Sequence, residues 1–151
     1  MKLAEALQER ADLNRRIAQL NSRLDANVTV QEGEKPAEDP LALLTELDGC
    51  VKRLERLIAA INLTNCSTVT EGKTLTEWLA RRDVLRTHLN ILRDIVSEAS
   101  RLSQRAARTE IKILSTIDVP AMQKEIDALS KELRVIDNRI QACSWSTELQ
   151  L

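Results

Sequence analysis

The residue types that carry most enzyme and metal chemistry are scarce in this chain. His88 is the only histidine, and it cannot form a zinc site alone, because zinc needs several His or Cys ligands at suitable spacing. The three cysteines, Cys50, Cys66 and Cys143, are scattered and form no Cys-x-x-Cys pair. A di-iron bundle would need Glu-x-x-His motifs, and position 85 is Leu. The sequence therefore predicts no metal site, and His88 is expected on a helix surface.

Other catalytic arrangements are also missing. The three glycines, Gly33, Gly49 and Gly72, lie in no phosphate-binding loop, and a single histidine gives no recognisable Ser-His-Asp triad. Acidic residues interleave with Lys and Arg at helix-surface spacing, which is typical of a solvated, salt-bridged face. We therefore expect a protein that is not an enzyme, with no catalytic residues and no cofactor.

One local charge pattern stands out, a stripe of basic residues at steps of four, three and four: Arg101, Arg105, Arg108 and Lys112. It has two interpretations, an exposed helix end placed favourably against the helix dipole or a patch that binds nucleic acid. The chain carries 22 basic and 23 acidic residues, with two Trp and no Phe or Tyr. Because there is neither a global positive field nor a set of stacking aromatics, a nucleic-acid partner is not expected.

The elements that position these residues are predicted from apolar side chains at alternating three- and four-residue steps. Two of the rows are unbroken: Leu44, Leu47, Val51, Leu54, Ile58 and Ile61, and then Met122, Ile126, Leu129, Leu133, Ile136, Ile140 and Cys143. Such spacing keeps one seam of a helix against a partner helix. We predict an all-α fold, an antiparallel four-helix bundle with long coiled-coil-like helices, in a single domain over 1–151. The predicted helices are 3–25, 41–62, 75–104 and 119–143, with a mobile acidic loop at 31–40.

Local signals mark the helix starts. Pro40 suits a first helical turn, Thr74 and Glu77 have capping-box spacing, and Asp118 precedes Pro120 as an N-cap. Gly49 falls inside the second helix, where close helix approach is its expected reason and a local bend the alternative.

Each connector holds a short β-like piece, at 28–30, 67–70, 110–113 and 144–147. In an up-down-up-down bundle the first and third pieces meet at one end, and the second and fourth at the other. We therefore predict two short β pairings in the connectors.

A second apolar row on the third helix indicates surplus hydrophobic surface. It consists of Val84, Ile91, Ile95 and Leu102, beside the row that runs through Leu75, Leu85 and Leu89. A helix that is apolar on two sides needs two partners. The row faces either the bundle interior or another subunit.

The compartment is predicted from what the chain lacks. Its longest uncharged run, 57–70, is shorter than the roughly 20 apolar residues of a membrane span, and the amphipathic N-terminal segment does not read as a signal peptide. An odd number of cysteines suits reduced thiols. We expect a cytoplasmic protein without a membrane partner.

Several segments resemble the septicolysin-like family of small bacterial proteins. They are MKLAEALQERADLNRRIAQLNSRL, QEGEKPAEDP, LERLIAAINLTN, RTEIKILSTIDV, and DNRIQACSW followed by STEL. The resemblance implies a helical, oligomeric bacterial protein and supplies no catalytic residues. The family label suggests a pore-forming cytolysin as one alternative function.

The sequence as a whole favours a structural or protein-interaction module that acts as a homo-oligomer. Its own second copy is the expected partner, and other protein partners are not specified by the residues. The alternatives are the cytolysin-like activity and weak nucleic-acid binding through the basic stripe.

Overall fold

The computed structural model describes residues 1–101 and 111–150. Over these residues the chain forms four long helices: α1 Leu3–Asn27, α2 Pro40–Ser67, α3 Leu75–Ala99 and α4 Val119–Ser146. Strands β1 (Val69–Thr70) and β2 (Lys73–Thr74) form a two-stranded sheet in one connector. The predicted all-α class is confirmed, and the helices fit a helical bundle. The chain divides into two compact units, Met1–Thr70 with Cys143–Leu151, and Glu71–Ala142.

The predicted helix starts are confirmed by their caps. The Asp39 side chain accepts a hydrogen bond from the Leu41 amide at 3.0 Å, with Pro40 in the first turn. The Thr74 hydroxyl accepts from the Glu77 amide, and the Glu77 carboxylate accepts from the Thr74 amide at 2.7 Å. At α4 the Asp118 carboxylate accepts from the Ala121 amide at 3.0 Å. Each cap satisfies amides that the first helical turn leaves unpaired.

In the first unit, α1 and α2 pack through a small cluster of leucines. Leu20 and Leu24 form a buried cluster with Leu43 of α2, and Leu47 and Cys50 pack against it. Full burial of a leucine side chain contributes about 1.5–3 kcal/mol. This cluster therefore supplies the main attraction between the two helices at that level.

Two ion pairs one heptad apart favour one register between α1 and α2. Glu9 pairs with Arg53 at 2.6 Å and Arg16 pairs with Glu46, while a third pair joins Arg23 of α1 to Glu38, which precedes α2. Residue numbers rise along α1 while they fall along α2, so the two helices run antiparallel. A shift by one heptad would bring Glu9 against Glu46 or Arg16 against Arg53, and like charges would then repel.

The predicted seam of α2 is only half buried. Ile61 is buried, but Leu44, Val51 and Ile58 are exposed, and we call these three the α2 apolar row. The buried face of α2 is shifted towards the residues Leu43, Leu57, Ala60, Ile61 and Thr64. Because both rows are apolar at the same seven-residue period, the pattern could not indicate which of them faces α1.

The C-terminal segment closes the first unit against the N-terminus. The Leu3 amide donates to the Thr147 carbonyl, and the Leu149 amide donates to the Met1 carbonyl, both at 2.9 Å. Thr64 is fully buried and accepts a hydrogen bond from the Gln150 amide at 2.9 Å. The segment thus pairs with both the start of α1 and the end of α2.

In the second unit, α3 and α4 also run antiparallel. Leu85, Leu89 and Leu92 are buried on α3, and Ile126 and Ile136 are buried on α4. Polar contacts between the two helices show this direction, because residue numbers rise along α3 and fall along α4. Arg86 contacts Asp137 at 3.2 Å, and Arg93 donates to the Ser130 hydroxyl at 3.1 Å. The apolar rows predicted for these helices therefore face each other.

All four helix ends differ from prediction, and the differences are largest at the ends of α2 and α3. The end of α2 lies at Ser67 rather than near 62, and the Ser67 hydroxyl donates to the Leu63 carbonyl there. The third helix, predicted to reach 104, ends at Ala99. Ser100 hydrogen-bonds the Val96 carbonyl through both its amide and its hydroxyl. Such local bonds from serine compete with helix continuation.

The β pairing that the structure shows has different partners from those predicted. The 67–70 piece pairs with Lys73–Thr74 through a two-residue turn, not with the 144–147 piece, whose first three residues belong to α4. Both turn residues, Glu71 and Gly72, have positive φ, as two-residue hairpin loops require. A single antiparallel bridge joins Lys2 and Glu148. Residues 28–30 form no strand, and the 110–113 piece lies partly outside the described residues.

Gly49 does not mark a close helix approach. A Cβ atom added there would meet nothing within 4 Å, and the residue is exposed. The expected packing reason is therefore wrong.

Candidate functional site

The surplus row predicted on α3 is solvent-exposed. Val84, Ile91 and Ile95 are 64%, 52% and 40% exposed, and we call them the α3 apolar row. Leu102 lies outside the described residues. Val84 and Ile91 line a shallow groove of about 390 Å³ together with Thr87, His88 and Asp83. Ile95 lies instead beside a depression of about 320 Å³ that includes Ile113 and Leu114. The interior alternative for this row is not what the structure shows.

The basic stripe is only partly described. Arg101 is exposed, with its guanidinium 3.9 Å from the Glu98 carboxylate, and Lys112 is exposed. Arg105 and Arg108 lie outside the described residues. The stripe therefore stays a prediction.

His88 sits on the exposed side of α3, as expected for a helix-surface residue. Across 1–101 and 111–150, no group of three or more His, Cys, Asp or Glu side chains could hold a metal ion. The three cysteines, all of which lie in the described part of the chain, form no disulfide.

A pocket that sequence analysis did not predict lies in the second unit, at the start of α3. The cavity has a volume of about 490 Å³ and is lined by β2, α3 and α4: Lys73, Trp78, Arg81, Ala128, Lys131, Glu132, Val135, Ile136 and Arg139. We call it the Trp78 pocket. Its volume lies in the range of about 300–1,000 Å³ that is typical of small-molecule sites.

Trp78 is the centre of this pocket. The Arg139 guanidinium carbon lies 4.2 Å from the centre of the indole ring, and the Lys73 ammonium nitrogen lies 5.1 Å from it. Both distances suit cation–π attraction, which contributes about 0.5–2 kcal/mol depending on exposure. The ring thus holds two cations at the pocket wall.

Arg139 is the most constrained charge in the pocket. Its side chain is 21% exposed and pairs with Glu71 at 2.5 Å. Its Nε is buried and has no hydrogen-bond partner within the part of the chain that the structure describes. A buried donor without a partner costs about 1–3 kcal/mol, so this arginine is held in place at a local cost.

Glu71 is held at a local cost as well. Its φ is +49°, a conformation that Gly, Asn or Asp adopt more readily than Glu. The carboxylate that this position carries is the partner of Arg139. The ion pair therefore joins the hairpin turn to α4.

The pocket walls carry an excess of positive charge. Four basic residues and one acidic residue line it, although the whole chain has a net charge of −1. Glu132 pairs with Arg81 at 2.8 Å, and Glu71 pairs with Arg139. Neither Lys73 nor Lys131 forms an ion pair with any residue that the structure describes. The uncompensated charge of the pocket is therefore carried by two ammonium groups.

No described helix is both long enough and apolar enough to cross a membrane.

Comparison with known proteins places this all-α chain in a family. Residues 10–149 match a family of unknown function, DUF6847, and the chain belongs to that family. The predicted resemblance to septicolysin-like proteins is therefore wrong, and the cytolysin alternative that rested on it has no support. The shared segments were long amphipathic helices and polar loops, which carry little family-specific signal.

The fold also occurs in a solved structure, the crystal structure of a functionally unknown conserved protein from Corynebacterium diphtheriae. The two chains are 41% identical, the alignment covers 99% of each, and the TM-score is 0.93. No curated protein matches the chain.

Proposed function

We propose that this protein is a non-enzymatic, cytoplasmic structural or protein-interaction module that acts as a homo-oligomer through its exposed helix faces. The observation that carries the proposal is the exposure of the α3 apolar row. Val84 and Ile91 are more than half exposed, although each would gain about 1.5–3 kcal/mol from full burial. A helix face of this kind is typical of a protein interface.

A second copy of the chain is the occupant that fits this face best. Val84 and Ile91 are seven residues apart, and the α2 apolar row (Leu44, Val51 and Ile58) has the same period. Helices with matching heptad periods pack side chains of one into the spaces of the other. The groove between Val84 and Ile91 offers such a space. Each copy brings both rows at equal concentration.

The expected size of the interface indicates how many helices form it. A helix of 25 residues is about 37 Å long, so one helix face buries less than the roughly 800 Å² per partner of a standard interface. We therefore expect more than one helix of each copy to contribute.

The state of the cysteines supports the proposed cytoplasmic location. The three cysteines, all of them among the described residues, form no disulfide, which suits a reducing compartment.

Charged substitutions on α3 test where the copies meet. In V84K/I91K, two ammonium groups would be buried in the proposed interface, and we expect the mass measured by light scattering to fall to that of one chain. N90K/S97K is the matched control, because it adds the same charge at the same seven-residue spacing on exposed positions away from the row. An unchanged oligomer in V84K/I91K, or equal dissociation in both variants, would overturn the assignment of α3 as the interface.

A further inference from the structure

We propose that the Trp78 pocket binds a small amphipathic anion, with an apolar body against Val135 and Ile136 and an acidic group held by Lys73 and Lys131. This site is separate in function from the α3 apolar row and does not depend on oligomer formation. The proposal rests on the shape, the charge and the internal constraint of the pocket.

The pocket offers an apolar floor with charged edges. Trp78, Val135 and Ile136 are lining residues, and Ile136 is buried while Val135 is about half exposed. Small-molecule sites commonly combine such an apolar lining with a few convergent polar groups. A flat body of one or two rings would fit a volume of about 490 Å³.

The basic residues that line the pocket indicate that its ligand carries a negative charge. The pairs Arg81–Glu132 and Arg139–Glu71 neutralise two of the four cations. Lys73 and Lys131 form no ion pair across the described residues and leave two positive charges at the pocket edge, with the Glu77 carboxylate near enough to Lys73 for that charge to help lower the pKa of Glu77. A carboxylate, sulfonate or phosphate group would supply the missing counter-charge through charge-assisted hydrogen bonds. A cationic or neutral ligand would leave both ammonium groups uncompensated.

The ion pairs also keep the site assembled before a ligand arrives. Arg139 is fixed by Glu71 and by the Trp78 ring, and the hairpin turn is held by the same contact. Binding therefore does not have to order these side chains, which lowers its entropic cost.

A dye pair tests the proposal directly. The probe is 8-anilinonaphthalene-1-sulfonate, an aromatic anion, compared with N-phenyl-1-naphthylamine, which has a similar apolar body without the sulfonate. The chain contains two tryptophans, Trp78 and Trp145, so an amide NMR spectrum of labelled protein has two indole signals, which W145F assigns. We expect the anionic dye to shift the Trp78 signal in a saturable way at one site per chain, and to leave the Trp145 signal in place.

Charge-removing variants locate the acidic group. K73A and K131A should each weaken binding of the anionic dye about tenfold, because each removes one charge-assisted contact. K124A is the matched control: it removes the same charge from an exposed position of α4 outside the pocket, and binding should change less than about twofold. Circular dichroism of each variant verifies that the helices remain folded.

Three outcomes would overturn the proposal. One is an unchanged Trp78 signal at saturating dye. Another is equal binding of the neutral dye, which would indicate adsorption to exposed apolar surface. The third is equal weakening by K124A and K131A, which would indicate attraction to general surface charge. Because V84K/I91K leaves the pocket residues in place, it should retain the Trp78 response, and a loss of response there would also contradict an independent site.

Discussion

Gly49 and Gly72 differ in backbone conformation, and we therefore expect opposite effects on stability when each is replaced by alanine. Gly49 lies in the interior of α2, and an added Cβ would find open space. Gly72 has a φ of +77° in the hairpin turn, where a side chain strains the backbone. Gly49 therefore only adds conformational freedom to the unfolded chain, whereas Gly72 allows the positive φ that the hairpin turn requires.

Gly49→Ala should raise the free energy of unfolding by about 0.5–1 kcal/mol, because alanine loses less backbone entropy in a helix. Urea denaturation followed by circular dichroism measures this change. Gly72→Ala is the control and should lower stability by about 1 kcal/mol or more. A loss of stability in Gly49→Ala would show that the glycine has a packing role after all.

The residues of the Trp78 pocket illustrate what sequence could not supply. Lys73, Trp78 and Arg139 belong to a hairpin and two helices, and only the antiparallel packing of α3 on α4 brings them together. Their sequence signal was weak, since a lone tryptophan and scattered lysines are common on helix surfaces. By contrast, caps such as Thr74 with Glu77 depend on neighbours in sequence, and these were predictable.

At the scale of elements, ion pairs and apolar rows divide the task of pairing α1 with α2. The apolar cluster around Leu20, Leu24 and Leu43 gives attraction, while the Glu9–Arg53 and Arg16–Glu46 pairs favour one register. The sequence predicted the helices from their periodicity, but only half of the seam that it predicted for α2, including Leu47 and Ile61, faces the interior. When two apolar rows on a helix share the same seven-residue period, the sequence alone does not show which of them packs against the partner helix.

The Arg16–Glu46 pair offers a test of register control. Arg16→Glu would place two carboxylates together and should destabilise the protein, and Glu46→Arg should do so by placing two guanidinium groups together. The double swap restores opposite charges and should recover most of the loss. Urea denaturation of all four proteins gives a coupling free energy, expected at about 0.2–1 kcal/mol for a half-exposed pair. Strictly additive effects would show that the contact does not set the register.

At the scale of the whole molecule, four glutamates link stability to pH. The Arg53 hydrogen bond lowers the pKa of Glu9 from 4.5, and the Arg23 hydrogen bond does the same for the pKa of Glu38. The Thr74 backbone amide lowers the pKa of Glu77. The Lys2 hydrogen bond, followed by that of the N-terminal ammonium, lowers the pKa of Glu148. The ionised form of each of these four carboxylates therefore stabilises the folded state.

The sign of the pH effect follows from these directions. Because each folded-state pKa lies below 4.5, the stabilisation is fully present above that pH and is lost as pH falls through the lowered pKa values. We expect the urea concentration at the midpoint of unfolding to decrease as the pH falls below about 4.5. Glu148→Gln should lower the midpoint at neutral pH and flatten the acid loss. Glu55→Gln, at an exposed position without an ion pair among the described residues, should match the unmodified chain. Identical acid profiles for Glu148→Gln and the unmodified chain would contradict this account.

The fold class and the surplus apolar surface were predictable because both follow from periodicity. The role of that surface was not, because periodicity does not distinguish a row that faces the interior from one that faces a second copy. The structure shows the α3 apolar row exposed, and the proposed homo-oligomer is the account that gives this exposure a physical reason.

Sedimentation equilibrium of the unmodified chain tests that account most directly. Measurements over about 1–100 µM reveal association, because oligomers form by mass action. The account predicts a mass that rises with concentration to at least twice the 17.0 kDa of one chain. A constant mass of 17.0 kDa over the whole range would contradict it.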